Sequence, residues 1–394
     1  MKRLLKISFD SVIFSFIPIL SWFMLGILVD KDLVNVFSLT YPIQFIWAMM
    51  RSVFGVGPNI YKEKHKDKNV VMSSMIVGII VGFVVFGFIA LNIDSYISFM
   101  NMDIGIYHNF ALYSVIQLYI QLIFSFVLEK LYYEDKNDLA NKYTLSFNLL
   151  NLIVLIITSL IFENQLYIIT ITLLTILLYV IFILIRESNK FKFSFHLFDF
   201  IKYDSVDICD RLFFFLIYLF GISNAASYGE QYMAAMNFVA LITDTQWDGF
   251  DAISTVAKID IARGCFNYKE HKKNAYKLLF ILLGTVLLLF AIMYPFNELT
   301  LWLVLIYLSI EVYNFLIYPI YNIKTIFLQL EYSSLGITTN KFINSILRTC
   351  LSFLKTPFCT GIGQIASSTY QFITINCIFH KNYKIEENGT VKLK

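Results

Sequence analysis

Charge is what this sequence is short of. Asp, Glu, Lys and Arg make up 15% of its 394 residues, where soluble domains carry roughly 25%. Water is therefore not the main solvent. The net charge of +3 is too small to point to nucleic acid. The five cysteines (Cys209, Cys265, Cys350, Cys359 and Cys377) lack metal-ligand spacing and read as small apolar helix residues. The five histidines (His65, His108, His196, His271 and His380) lie mainly between apolar runs, where a solvated ring is the default. There is no nucleotide-binding glycine loop and no soluble domain to carry chemistry. These absences argue against an enzyme and against any bound cofactor. A cleavable signal is also missing: the first apolar run, Ser8 to Val29, is long enough to span a bilayer and has no small-residue cleavage site after its early part.

What remains is apolar sequence, 58% of the chain. A membrane helix needs about 20 mainly apolar residues. Twelve such runs are expected, near 8–29, 33–60, 70–91, 107–128, 143–162, 166–185, 203–224, 231–262, 275–294, 299–330, 341–358 and 361–379. The segments that would share one side are 1–7, 61–70, 129–142, 186–202, 263–277, 324–341 and 380–394. They hold 25 of the 31 Lys and Arg, so the positive-inside rule makes that side cytoplasmic, together with both termini. The intervening loops offer only Lys31, with Lys355 near one helix end. The sequence also repeats about two hundred residues apart. Phe9-Asp10-Ser11-Val12 returns as Tyr203-Asp204-Ser205-Val206, Gly26-Ile27 as Gly221-Ile222, and YKEKHKDKN from Tyr61 as YKEHKKN from Tyr268. First helix matches seventh and second matches eighth, all in the same orientation. These are parallel repeats, the plan of many secondary transporters. The expected organisation is a six-helix half over 1–185, a cytoplasmic linker over 186–202, a second six-helix half over 203–379 and a cytoplasmic tail over 380–394. The expected fold class is an all-α membrane protein of twelve transmembrane helices, in two parallel halves around a V-shaped central cleft.

Three stretches carry a family resemblance. They are Tyr228-Gly229-Glu230-Gln231-Tyr232-Met233-Ala234-Ala235 at the start of the eighth run, Val53-Phe54-Gly55-Val56-Gly57-Pro58-Asn59 at the end of the second, and Leu347-Arg348-Thr349 through Thr356-Pro357-Phe358-Cys359-Thr360-Gly361-Ile362-Gly363. With twelve helices in parallel halves, the chain resembles the multidrug and toxic compound extrusion (MATE) family, within the wider group that includes polysaccharide and lipid-linked sugar flippases. The resemblance implies a cation-coupled exporter working by alternating access in the plasma (inner) membrane. The sequence departs from that pattern in its first helix. Ile7-Ser8 stand where a proline would be, and Trp22 stands where an aspartate would be. The seventh-helix carboxylate of the family would fall near Phe214, and the nearest acid, Asp210, is one turn away.

Ionisable groups within membrane runs cost roughly 2.5–3.5 kcal/mol each and normally face a cavity or a partner. The first half holds mainly Arg51, with Asp10 near the cytoplasmic end. The second half holds Asp207, Asp210 and Arg211 on the seventh run, then Asp244, Asp248, Asp251 and Lys258 on the eighth, and Glu311 on the tenth. Asp244, Asp248 and Asp251 are spaced i, i+4, i+7 and share one helix face. The coupling candidates are therefore Asp207, Asp210, Asp244, Asp248, Asp251 and Glu311, binding sodium or a proton. The bland reading pairs Asp207 with Arg211 and Asp251 with Lys258 along their own helices, and leaves the others to bond neighbouring helices. Asp260 reads as solvated and Arg348 as a helix–helix contact. Pro18, Gln44, Trp47, Trp22, Trp247 and Arg51 are candidates for a substrate cavity, against the plain alternative of kinks and packed aromatics. Arg51 would either face that cavity or meet an acid across the cleft.

Three functions follow. The first is export of organic cations or amphipathic compounds by a monomer in exchange for sodium or protons, with membrane lipids as surroundings. The second is flipping of a lipid-linked saccharide. The third is a transport-inactive membrane scaffold.

Overall fold

In an apolar solvent every backbone N–H and C=O must be satisfied within the chain, and a helix does this locally. Helices account for nearly all of the structure, a computed structural model. It describes residues 1–394 apart from 30–34, 100–102, 189, 227, 229 and 297–298. Lys31 and Gly229, named above, lie outside the described residues, as do the side chains of Pro18 and Trp22. The chain runs α1 (Lys2–Leu28), α2 (Asn35–Arg51), a π-helical turn (Ser52–Val56), α3 (Gly57–His65), α4 (Val70–Leu91), a short α5 (Ile93–Phe99), α6 (Ile104–Tyr133), α7 (Asn137–Ile161) and α8 (Gln165–Glu187). It continues with α9 (Leu197–Ala226), α10 (Glu230–Ala262), α11 (Tyr268–Met293), α12 (Leu301–Glu331), α13 (Ser334–Ser352) and α14 (Cys359–Asn382). Each expected span overlaps a helix, the second being shared by α2, the π turn and α3; the span expected over 341–358 is displaced, since α13 starts at Ser334 and ends at Ser352.

Short polar side chains start several of these helices. Asp103 accepts from Gly105 N, Asn164 from Leu166 N, Asn267 from Glu270 N and Ser333 from Gly336 N, each satisfying an N-terminal donor that has no intrahelical partner. Pro42 and Pro319 sit inside continuous helices. Among the described residues, α4, α6, α7, α8, α11 and α12 are long and apolar enough to cross a membrane. The outer faces of α4, α7 and α8 expose Phe88, Leu91, Leu160, Phe182 and Ile185. Apolar surface on this scale suits lipid and would be a liability in water.

Two compact units divide the chain. One is Ile13–Asp204, and the other is Met1–Val12 with Ser205–Lys394. The boundary in α9 falls at a kink, where Asp204 leaves helical geometry at φ −124° and ψ 18°. In the first unit α6 is central: α2, α4, α7 and α8 pack on it, α7 packs on α8, and α3 on α4. In the second unit α12 takes that place: α10, α11, α13 and α14 pack on it, α13 packs on α14, and α10 on α11. The sequence repeat thus has a counterpart in the order of packing within each unit.

The segment 380–394, expected as a tail, begins with the last residues of α14. It then forms an antiparallel hairpin, β1 (Tyr383–Ile385) and β2 (Val391–Leu393), folded against the ends of α11, α12 and α14. Tyr268 N donates to Gly389 O at 3.0 Å, and Asn267 Nδ2 donates to Asn388 O at 2.8 Å. The Tyr383 ring packs on Phe327 and Phe379, with centroids 5.2 and 5.7 Å away.

Gly57 marks the tightest approach of backbone to backbone in the first unit's inner face. A Cβ there would lie 2.8 Å from Phe200 O and 3.0 Å from Phe200 Cα. Gly87, on α4, has nothing within 4 Å of the same position. Gly57→Ala is expected to destabilise the purified protein by about 1–3 kcal/mol, the usual cost of overpacking. Gly87→Ala should be neutral or raise stability by up to ~1 kcal/mol. Thermal unfolding of the two variants in detergent checks the contrast.

Candidate functional site: a carboxylate array in the second unit

The six acids singled out above all lie in one unit, on α9, α10 and α12. At about 1.5 Å per residue, Asp244 lies roughly 20 Å along α10 from Glu230, and Glu311 roughly 15 Å along α12 from Leu301. What the structure adds is their partners. Asp207 pairs with Lys258, and Asp251 Oδ2 accepts from Arg211 Nη2 at 2.7 Å. Both pairs join α9 to α10. The pairings expected along single helices, Asp207 with Arg211 and Asp251 with Lys258, are therefore exchanged: each acid takes the base of the facing helix. The physical reason is direction. Side chains on packed helices project into the shared seam, where a partner across the contact is nearer than one up the same helix.

Asp210 Oδ2 accepts from Lys341 Nζ on α13 at 2.8 Å. Lys341 had been counted with the loop 324–341, but α13 begins at Ser334 and the lysine side chain is only 12% exposed. Asp248 lies in the electrostatic field of Arg211, beside Asp251 and Asp207. Asp244 and Asp248 are half-buried and both engaged within the fold.

Glu311 is held differently. Its Oε2 accepts from Trp247 Nε1 at 2.8 Å and from Gln364 Nε2 at 3.1 Å. Both donors are neutral, so these contacts fix Glu311 in place without pairing it to a positive charge. The cation in its neighbourhood is Arg348, whose guanidinium lies 4.5 Å over the Phe214 ring. Gln364 was not among the expected residues, although the motif that delivers it was. A Cβ on Gly363 would lie 3.0 Å from Arg348 O, and one on Gly361 would lie 2.5 Å from Ile310 Cδ1. The Gly361-Ile362-Gly363 run lets α14 close on α12 and α13, and Gln364 follows directly. Trp247 in turn packs against Phe315 and Tyr318, with centroids 4.4 and 5.3 Å away, and Phe250 completes the cluster.

In the array as a whole, six carboxylates meet four cationic side chains: Arg211, Lys258, Lys341 and Arg348. Among the described residues of this array the acids outnumber the bases, and Glu311 is the one held by two neutral donors.

The first unit answers Arg51, at the end of α2, from within. Arg51 Nε donates to Glu129 Oε1 at 2.9 Å, and the guanidinium sits 5.6 Å over the Trp47 ring. Glu129 had been placed in the loop 129–142; α6 continues to Tyr133, and the Glu129 side chain is wholly buried. The acid that meets Arg51 thus belongs to its own unit. The opposite Trp47 contact is Phe14, stacked at 5.6 Å. Gln44 is half-buried on α2, and Trp247, the remaining cavity candidate, is tied to Glu311 as described.

Asp207→Asn removes the carboxylate that meets Lys258, whose side chain is only 4% exposed, and is expected to cost about 3 kcal/mol. Asp207→Asn with Lys258→Met should recover most of that loss. Melting temperatures of the two variants decide it, because a solvated, unimportant pair would leave both near wild type.

No known protein family matches the chain by sequence, and no curated protein does so. Solved structures do. A MOP superfamily transporter from Pyrococcus furiosus Vc1 (DSM3638) superimposes with a TM-score of 0.74 at 15% identity, covering 96% of this chain and 95% of that one. The description of that protein reports a binding pocket of reverse polarity that suggests a different function. An outward-facing multidrug resistance MATE family transporter gives 0.73 at 15% identity, with 96% and 94% covered. A MATE protein in complex with MaD3S gives 0.74 at 16% identity, with 96% and 95% covered. The likeness extends over the full length of both partners and is one of fold.

Proposed function

We propose that this chain is an integral membrane transporter of the MATE type, exporting organic cations or amphipathic compounds in exchange for sodium or protons by alternating access. The observation that carries the reading is Glu311. A carboxylate fixed by two neutral donors, in a unit where acids outnumber bases, is able to take up and release a positive charge. Asp207, Asp210 and Asp251 are each matched to a base and serve mainly to hold α9, α10 and α13 together. Glu311 is the group we assign to the coupling ion, with Asp244 and Asp248, on the facing helix α10, adding negative charge to the same unit. Hard cations seek several oxygen ligands and net negative charge, and a proton needs only one carboxylate in a low-dielectric setting.

The substrate class follows from the same charge balance. A cavity with surplus carboxylate favours organic cations, and the Trp247, Phe315 and Tyr318 rings beside Glu311 offer π faces of the kind that attract them. A lipid-linked saccharide carries phosphate and would be repelled. Twelve spanning helices in two parallel halves supply the moving parts, as the full-length likeness to such transporters supports.

The test is reconstitution into liposomes with an imposed sodium or proton gradient and a cationic dye as cargo. Wild type should accumulate dye against its gradient. Glu311→Gln keeps the shape and both hydrogen bonds' geometry while losing the charge, so it should reduce gradient-driven transport by roughly a hundredfold or more, the effect of removing about 3 kcal/mol of coupling, at unchanged yield. Asp248→Asn should reduce it as well. If both variants transport at the wild-type rate, the acid array is structural and the coupling assignment fails; a wild type that moves no dye under either gradient would favour the scaffold reading.

A further inference from the structure

A second feature lies away from the array, in the first unit, where α8 leaves the apolar zone. Residues 190–196, ahead of α9, lie outside any helix and are tied to the loop between α3 and α4. Lys192 N donates to Asn69 Oδ1 at 3.1 Å, Ser194 N donates to Ser73 Oγ at 2.9 Å, and the Ser194 hydroxyl donates to Asp67 Oδ2 at 2.6 Å. That last bond holds the Asp67 carboxyl below the usual carboxylate range. Ser194 is turned inward, while Phe193 beside it points out and is 69% exposed.

The tie has an electrostatic result. The acid of the α3–α4 loop, Asp67, is engaged inward with Ser194, while Lys66 and Lys68 on either side of it are exposed. Lys190 and Lys192, on the segment tied to that loop, are exposed as well. Four lysines from two segments distant in sequence are thereby gathered beside an outward phenylalanine. A second one, Phe198, is 87% exposed in the first turn of α9. The exposed apolar face of α8 ends at Ile185, 70% exposed, immediately before this patch. Exposed aromatic rings next to lysines, at the end of a lipid-facing helix, match a bilayer interface in both parts: rings at the acyl boundary and ammonium groups among phosphates.

We propose that the bridged Lys66–Lys68 and Lys190–Lys192 patch binds the phosphate headgroups of anionic phospholipids, with Phe193 and Phe198 inserted at the edge of the acyl region. Lysines near an anionic surface each add attraction that salt screens, so the preference should be one of headgroup charge. The rings add affinity for any phospholipid. This site rests on the chain lying in a membrane, and on neither its cargo nor its coupling ion.

The experiment titrates the purified full chain, in a neutral detergent, with phosphatidylglycerol or with phosphatidylcholine of the same acyl chains. Bound lipid is counted by native mass spectrometry. Wild type should prefer phosphatidylglycerol by about fivefold or more, given several lysines at the surface. The variant with Lys66→Gln, Lys68→Gln, Lys190→Gln and Lys192→Gln should bind the two lipids alike. Phe193→Ser with Phe198→Ser should weaken both lipids in equal proportion and keep the preference. If the fourfold variant does not fold, Lys190→Gln with Lys192→Gln is read instead and should lose about half of the preference on a logarithmic scale. A preference unchanged by the lysine substitutions overturns the proposal. So does complete displacement of phosphatidylglycerol by millimolar inorganic phosphate, which would make the patch a site for free anions.

Discussion

A charge withdrawn from water has to be answered by another group, and in this protein the answers come from neighbouring helices. Removing a carboxylate or ammonium from water costs several kcal/mol even after the surroundings relax, and a well-placed partner offsets that cost. Lys258 on α10 can be buried because Asp207 on α9 meets it, and Lys341 on α13 because Asp210 does. Arg51 and Glu129 perform the same service between α2 and α6. Nonspecific apolar contact would let helices slide or rotate at little penalty. An ion pair across a seam sets one register, since any slip would strand two charges.

That constraint explains how much could be read beforehand. Helix positions were legible, because hydropathy and the spacing of basic loops depend only on local composition. Ends were less so. Lys341 and Glu129 were assigned to loops for their polarity, yet both lie inside helices, shielded by partners that no local window contains. The exchange of partners between α9 and α10 was invisible for a related reason: spacing along one helix says which residues share a face and nothing about which helix that face meets. The tail hairpin did leave a signal in Asn388-Gly389, a dipeptide suited to tight turns, but one short turn in a lysine-rich tail is a weak cue. The π turn at Ser52–Val56 left only Gly55 as a signal.

Glu311 is the exception that gives the second unit its character. The other three paired acids have met a full positive charge, and their fields are largely cancelled. Glu311 has met an indole N–H and an amide N–H, which orient it without neutralising it. Its surroundings are assembled by three elements at once: Trp247 from α10, the carboxylate itself from α12, and Gln364 from α14, brought close by two glycines. The first unit has no matching arrangement among its described residues; its buried Glu129 is committed to Arg51. The two units share an order of packing and differ in how their charge is spent.

The placement of the first twelve residues has a consequence for biosynthesis. Met1–Val12 belong to the unit otherwise built from Ser205 onward, and Arg3 reaches Asp260 Oδ1 at 2.8 Å. At about 5–20 residues per second, the start of the chain is made on the order of ten to fifty seconds before Asp260 leaves the ribosome. During that interval the rest of the unit to which the beginning of α1 belongs has yet to be made. The first unit can close on itself as it is synthesised, whereas the second must wait for both ends of the chain. Insertion factors at the membrane would therefore have to shelter this amino-terminal stretch through most of translation.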